Sequence, residues 1–148
     1  MPLDERAYAP NAQSVLFHLT LFVEFCEAYR AKELSAAASC ECLRDAAEEL
    51  CGSLATTTFS TQEQAALVTA LHQSEAAFRD AMPELYGRTG AARGIAALVE
   101  LLDSAATSEQ CFDRESRSVA LGTAQRFGRT LGAFAGSRKG DKASMQGQ

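Results

Sequence analysis

Apolar residues recur at three- and four-residue steps along almost the whole chain, the period of a helix face. Val15, Leu16, Leu19, Phe22, Val23, Cys26 and Tyr29 mark a first helix over about Ala12–Lys32. Phe17, Leu21 and Phe25 carry its apolar surface nearly all round the first half, so this helix must be enclosed by its own domain or by a partner. Behind the capping hydroxyl of Ser35, Leu43, Ala47, Leu50 and Leu54 form a second stripe that ends near Gly52 or Leu54, with Ala55-Thr-Thr-Thr as the linker. Ser60 and Glu63 have the spacing of a capping box, in which hydroxyl and carboxylate each accept from the other's amide. They open a third helix with Leu67, Leu71, Phe78 and Met82 on one face. Pro83 ends it, because proline lacks the amide and disfavours helix in the residue before it.

Residues 84–94 contain Gly87, Gly90 and Gly94 and predict a bent junction. A fourth helix follows with Ile95, Leu98, Val99, Leu102 and Ala106. Ser108 caps a fifth whose stripe is Phe112, Ala120, Ala124, Phe127, Leu131 and Phe134. No segment alternates as a strand would. The pattern predicts an all-α fold: a compact single-domain helical bundle of about five or more helices, with helix one or helix four enclosed by the others. Residues 1–11 read as a flexible N-terminal segment, 12–136 as the bundle, and 137–148 as a polar, disordered tail.

Composition agrees with a folded domain, since 47% of the 148 residues are hydrophobic and 22% charged. The net charge of −5 conceals an asymmetry. Residues 114–148 hold seven Lys/Arg against two acids, a net +5, which leaves −10 on residues 1–113. No aromatic residues interleave the last basic cluster, which argues against a nucleic-acid platform. The most apolar stretch, Val15–Cys26, is interrupted by His18, Thr20 and Glu24 and is too short for a span, which needs about 20 apolar residues.

Five cysteines without framework spacing read as reduced thiols in an intracellular protein. Cys40 and Cys51 share a helix face but stand roughly 16 Å apart at 1.5 Å per residue, too far for one zinc ion. Gly87-Arg-Thr-Gly-Ala-Ala-Arg-Gly94 lacks the Gly-Lys-Ser/Thr ending of a phosphate loop and follows no strand. Gly128, Gly132 and Gly136 repeat every four residues, but Arg126 and Arg129 exclude a membrane span, so the repeat predicts close helix packing or a weak helix end. Asp45, Glu48 and Glu49 read as a solvated face, because general acid–base work needs carboxyls converging on a pocket. No catalytic residue, metal ligand set or cofactor site is expected.

Two segments carry a family resemblance. In helix two, Leu43, Ala47, Glu48 and Leu50 give the order large apolar, small, acidic, large apolar. Further on, Phe78-Arg79-Asp80 is followed by Tyr86-Gly87-Arg88. These resemble the third and first homology motifs of the Bcl-2 apoptosis-regulator family, and the Ala-rich character is similar to a divergent viral member. Glu48 stands where Asp is usual, Leu85 and Tyr86 replace Asn and Trp, and the second homology motif is missing. The resemblance implies a non-enzymatic regulator of apoptosis, read as an inhibitor in a host–virus setting. Its groove would lie between helices two, three and four, walled by Leu50, Leu54, Leu67, Leu71 and Phe78, and would accept the amphipathic death-motif helix of a pro-apoptotic protein. Arg88, beside Gly87 and Tyr86, would pair with the ligand's acid, with Arg93 as the fallback. The resemblance further implies a cytoplasmic protein, recruited to the mitochondrial surface through its partners, with homodimerisation left open. The alternative reading is a structural helical-bundle subunit, such as the coat protein of a rod-shaped virus, with its basic end toward nucleic acid.

Overall fold

Pro10 opens the first helix, where its missing amide costs nothing and its fixed φ suits the first turn. In the computed structural model this helix, α1, is Pro10–Arg30. The structure describes residues 8–56, 59–106 and 114–146. Lys32, at φ 64°, takes the left-handed position that closes α1, and the Glu33 amide returns to the Ala28 carbonyl at 2.8 Å. Ser35 caps α2 (Ala36–Thr56) by accepting from the Ala38 amide at 3.3 Å. That helix continues past the expected Gly52–Leu54 end.

The capping box of α3 (Thr61–Ala81) forms as its sequence requires: Ser60 Oγ accepts from the Glu63 amide at 3.1 Å, and Glu63 Oε1 accepts from the Ser60 amide at 2.7 Å. Glu63 Oε2 also accepts from the Ala9 amide at 2.6 Å, which ties the start of α1 to the start of α3. Pro83 does two jobs. It stops α3 and becomes the first residue of α4, Pro83–Thr89, where the sequence had predicted only a bent junction. Gly90, at φ 71°, closes α4, and α5 (Ala91–Ala106) starts at once. The last helix, α6, is Arg114–Gln146 and runs past the expected boundary at residue 136. The Ser108 cap and Phe112 lie outside the described residues. Six helices and no strand are found among the described residues, an all-α bundle as the periodicity demands.

The long helices close a ring. α1 packs on α2 and α3, α2 on α6, α6 on α5, and α5 on α3, with α2 also touching α5 across the middle. Helix one is not the enclosed element; α5, the helix at 91–106, has α2, α3, α4 and α6 against it, and α2 lies between α1 and α6. Its buried residues go well round the cylinder: Ser39, Cys40, Cys42, Leu43, Ala46, Ala47, Leu50, Cys51, Ser53 and Leu54. Small side chains make this affordable, since Ala, Ser and Cys let neighbouring backbones come close on both sides. α1, despite its wide apolar surface, buries only the stripe Ala12, Val15, Leu19, Phe22 and Cys26, and leaves Phe17 61% exposed.

Two close approaches hold α6. A Cβ on Gly94 of α5 would lie 2.6 Å from Phe127 Cβ and closer still to the ring, so the glycine is the notch that receives this aromatic. On the other side, Gly128 and Gly132 face the stems of Glu48 and Arg44, with a Cβ on Gly132 reaching 3.1 Å from Arg44 Cδ. At Gly128 and Gly132 the glycine repeat is thus a packing feature of the α2–α6 contact, one of the two meanings its sequence allowed.

Gly94→Ala should destabilise the fold by roughly 1–3 kcal/mol through overpacking. Gly122→Ala, with nothing within 4 Å of the new methyl, should instead stabilise by up to about 1 kcal/mol through helix propensity. Chemical denaturation of both variants checks the contrast. A second outcome concerns acid. The Ala9 amide, then the Ser60 amide, holds the Glu63 carboxyl below its ordinary value. A depressed carboxyl contributes stability that is whole above the usual glutamate range of about 4.3 and is lost as pH falls through the folded-state value. Glu63→Gln should therefore lower the Tm at neutral pH and converge with the parent in strong acid.

Candidate helix-binding groove

Leu43, Ala47 and Leu50 face inward at 0%, 1% and 0% exposure, the orientation the amphipathic stripe requires, while Glu48 is exposed. Leu67, Leu71 and Phe78 are equally closed in the core, and Leu54 nearly so. All of them belong to the one buried hydrophobic core of the bundle. Phe78 is held edge-on between Phe22 and Tyr86, at 5.4 and 5.9 Å between ring centroids.

The Tyr86-Gly87-Arg88 segment lies in α4, strapped on two sides. Tyr86 donates its hydroxyl hydrogen to Glu75 Oε2 of α3 at 2.7 Å, and that bond is the chief reason its phenol is shifted upward. The Arg88 guanidinium lies over the Phe134 ring of α6 at 5.3 Å, a cation–π contact that docks α4 on the last helix. Gly87 is exposed, with nothing within 4 Å of a would-be Cβ. Arg88 is thus exposed beside Phe134, whereas the leucines with which the sequence grouped it are buried.

What does open beside the motif helix is a groove of about 460 Å³ between α2 and α6. Ala47, Cys51, Ala124 and Gly128 are its buried, small floor, and Glu48 with Gly52 rims the α2 side. Gln125 and Arg129 rim the α6 side. The small-acidic step at Ala47–Glu48 therefore faces this cleft. Arg129 forms no salt bridge among the described residues and is available to an incoming carboxylate. A second groove of about 540 Å³ lies between α5 and α6, with Arg93 and Glu100 on one wall and Val119 and Thr123 on the other. The contribution of α6 was missed in the sequence, although the small positions Ala120, Ala124, Gly128 and Gly132 at four-residue steps signalled it.

One polar cluster joins α1 to α2. Ser14 Oγ donates to Glu49 Oε1 at 2.8 Å rather than to an imidazole, and His18 Nδ1 lies 2.9 Å from the Ser14 carbonyl and 3.3 Å from the same carboxylate oxygen. No nucleophile–base pair results. Burial pushes the Cys26 thiol up to about 12 and the Cys40, Cys42 and Cys51 thiols to about 11. Among the described residues no group of three His, Cys, Asp or Glu is placed to hold a metal, and no helix is long and apolar enough to cross a membrane. No family model, curated protein or solved structure matches the chain.

With thiolate scarce and access closed, Cys26, Cys40, Cys42 and Cys51 should resist iodoacetamide in the native protein and react together once it is unfolded. Peptide mapping by mass spectrometry reads this directly. Fast native labelling at any of the four would contradict their burial.

Proposed function

We propose that the chain is a non-enzymatic interaction module that seats an amphipathic helix of a partner protein in the α2–α6 groove. The observation that carries this reading is the groove itself, with a floor of small residues and, on its rim, the exposed Arg129, which forms no salt bridge among the described residues. A helix laid there gains by burying apolar side chains over the small floor, while a single carboxylate toward Arg129 fixes register. In its specific form, drawn from the resemblance of helix two and the Phe-Arg-Asp/Gly-Arg segment, the module is a Bcl-2-like regulator of apoptosis. Its ligand would then be a pro-apoptotic death-motif helix. The chemistry of the cleft favours Arg129 over Arg88 as the partner of the ligand's acid, because the Arg88 guanidinium is engaged with Phe134.

Titration calorimetry against a panel of death-motif peptides tests this. Gly52→Leu, at a rim position with open space around it, should fill the groove and abolish binding while the protein stays folded. Arg129→Ala, an exposed rim charge, should weaken binding by about 1 kcal/mol and flatten its salt dependence. Arg88→Ala should leave affinity unchanged. Loss of binding with Arg88→Ala but not with Arg129→Ala would move the site to α4. A wild-type protein that binds no peptide of the panel rejects the apoptotic form of the proposal.

A further inference from the structure

The two large hydrophobic side chains exposed among the described residues are Phe17, at 61%, and Val119, at 65%. Each belongs to an outward ridge with helical three- and four-residue spacing. On α1 the ridge is Phe17, Thr20, Glu24 and Glu27, all exposed. On α6 it is Val119, Gly122, Arg126 and Arg129, with only Gly122 partly covered. Laid side by side in parallel, the ridges match in a single register. Phe17 meets Val119, Thr20 meets Gly122, Glu24 meets Arg126 and Glu27 meets Arg129.

Each pairing has a physical sense. The aromatic covers the lone exposed valine and removes both from water. Nothing lies within 4 Å of a Cβ built on Gly122, so the opposing backbone can come close at that step. The two carboxylates and two guanidiniums have the same three-residue spacing and opposite charge, and none of the four takes part in a salt bridge among the described residues. The match also follows the larger charge division, acidic over residues 1–113 and basic over 114–148.

We propose that the outward ridge of α1 in one copy of this chain docks in parallel along the outward ridge of α6 in a second copy. Within one chain, α1 packs on α2 and α3 while α6 packs on α2 and α5, so each molecule presents both ridges to others. The contact is heterologous, since different surfaces of the two copies meet. Association therefore continues head to tail until a ring closes or a filament grows. Arg129 borders the α2–α6 groove as well, so a ligand carboxylate there competes with Glu27 for it, while Val119 and Arg126 lie outside that groove's lining.

Sedimentation velocity of the full chain at low ionic strength tests the proposal through charge reversal. The wild type should grow with concentration and shrink with salt. Glu24→Arg/Glu27→Arg and Arg126→Glu/Arg129→Glu should each stay monomeric, since both ridges of a molecule then carry the same charge. An equimolar mixture should assemble as an alternating copolymer of the two variants, because each molecule of one presents two ridges complementary to the two ridges of the other. The four-fold variant carrying all these changes should assemble again. Phe17→Ser, which leaves the charges alone, should weaken association at least tenfold. Circular dichroism verifies that each variant is folded. A wild type that is monomeric at every concentration, reversed variants that associate as before, or a mixture that stays monomeric would each overturn the assignment. Failure of the groove reading is separate, because Gly52 lies on neither ridge.

Discussion

The closeness of α6 to its two neighbours is the constraint on which the rest of this bundle depends. Phe127 enters the space left by Gly94 on α5, and Gly128 with Gly132 lets the stems of Glu48 and Arg44 lie across the helix from α2. With larger residues at these points α6 would stand off by a side-chain layer, and the ring of helices would not close. Ala120, Ala124, Phe127, Leu131 and Ala135 of α6 are all buried by this docking. The contact also explains why α2 is buried on two sides. It has α1 on one side and α6 on the other, and carries Ala, Ser and Cys where a two-sided helix needs small volume.

The same small residues shape the surface. A floor of Ala47, Cys51, Ala124 and Gly128 leaves the α2–α6 seam underfilled near the rim, and the seam becomes a cleft flanked by Glu48 and Arg129. Burial raises the thiol pKa values and removes cysteine reactivity from this region, while the Ser14–His18–Glu49 cluster spends its hydrogen bonds on joining α1 to α2. The described surface carries two grooves, the exposed arginines Arg126 and Arg129, and the exposed apolar side chains of Phe17 and Val119.

The helices were legible because their signals are local. The Ser60–Glu63 box, the Ser35 cap, the Pro83 stop and the 3.6-residue stripes each act within a few positions of themselves. Helix α4 was hidden because Gly87 and Gly90 read as a junction, while the opposing signal, Pro83 at a first helical position, was read only as a terminator. The inward face of α2 was also legible, but its enclosure was not. A stripe gives one buried face, and the second comes from α6, far along the chain, where Gly128 faces Glu48 and Gly132 faces Arg44. For the same reason Leu50, Leu67, Leu71 and Phe78 were recognisable as apolar partners, whereas whether they wall an open groove or fill a closed core depends on how far apart the helices stand. Arg88 illustrates the same point, since its ring partner Phe134 lies on a different helix.

The central claim is that α6 is seated by an aromatic ring in the space where Gly94 has no side chain. Nuclear Overhauser spectroscopy of the folded protein addresses it without any ligand or variant. The account predicts strong contacts between the Phe127 ring protons and the Gly94 α-protons, with those α-protons displaced by the ring current. Absence of these contacts, with Phe127 ring signals typical of a solvated side chain, would contradict the seating of α6 and the groove that rests on it.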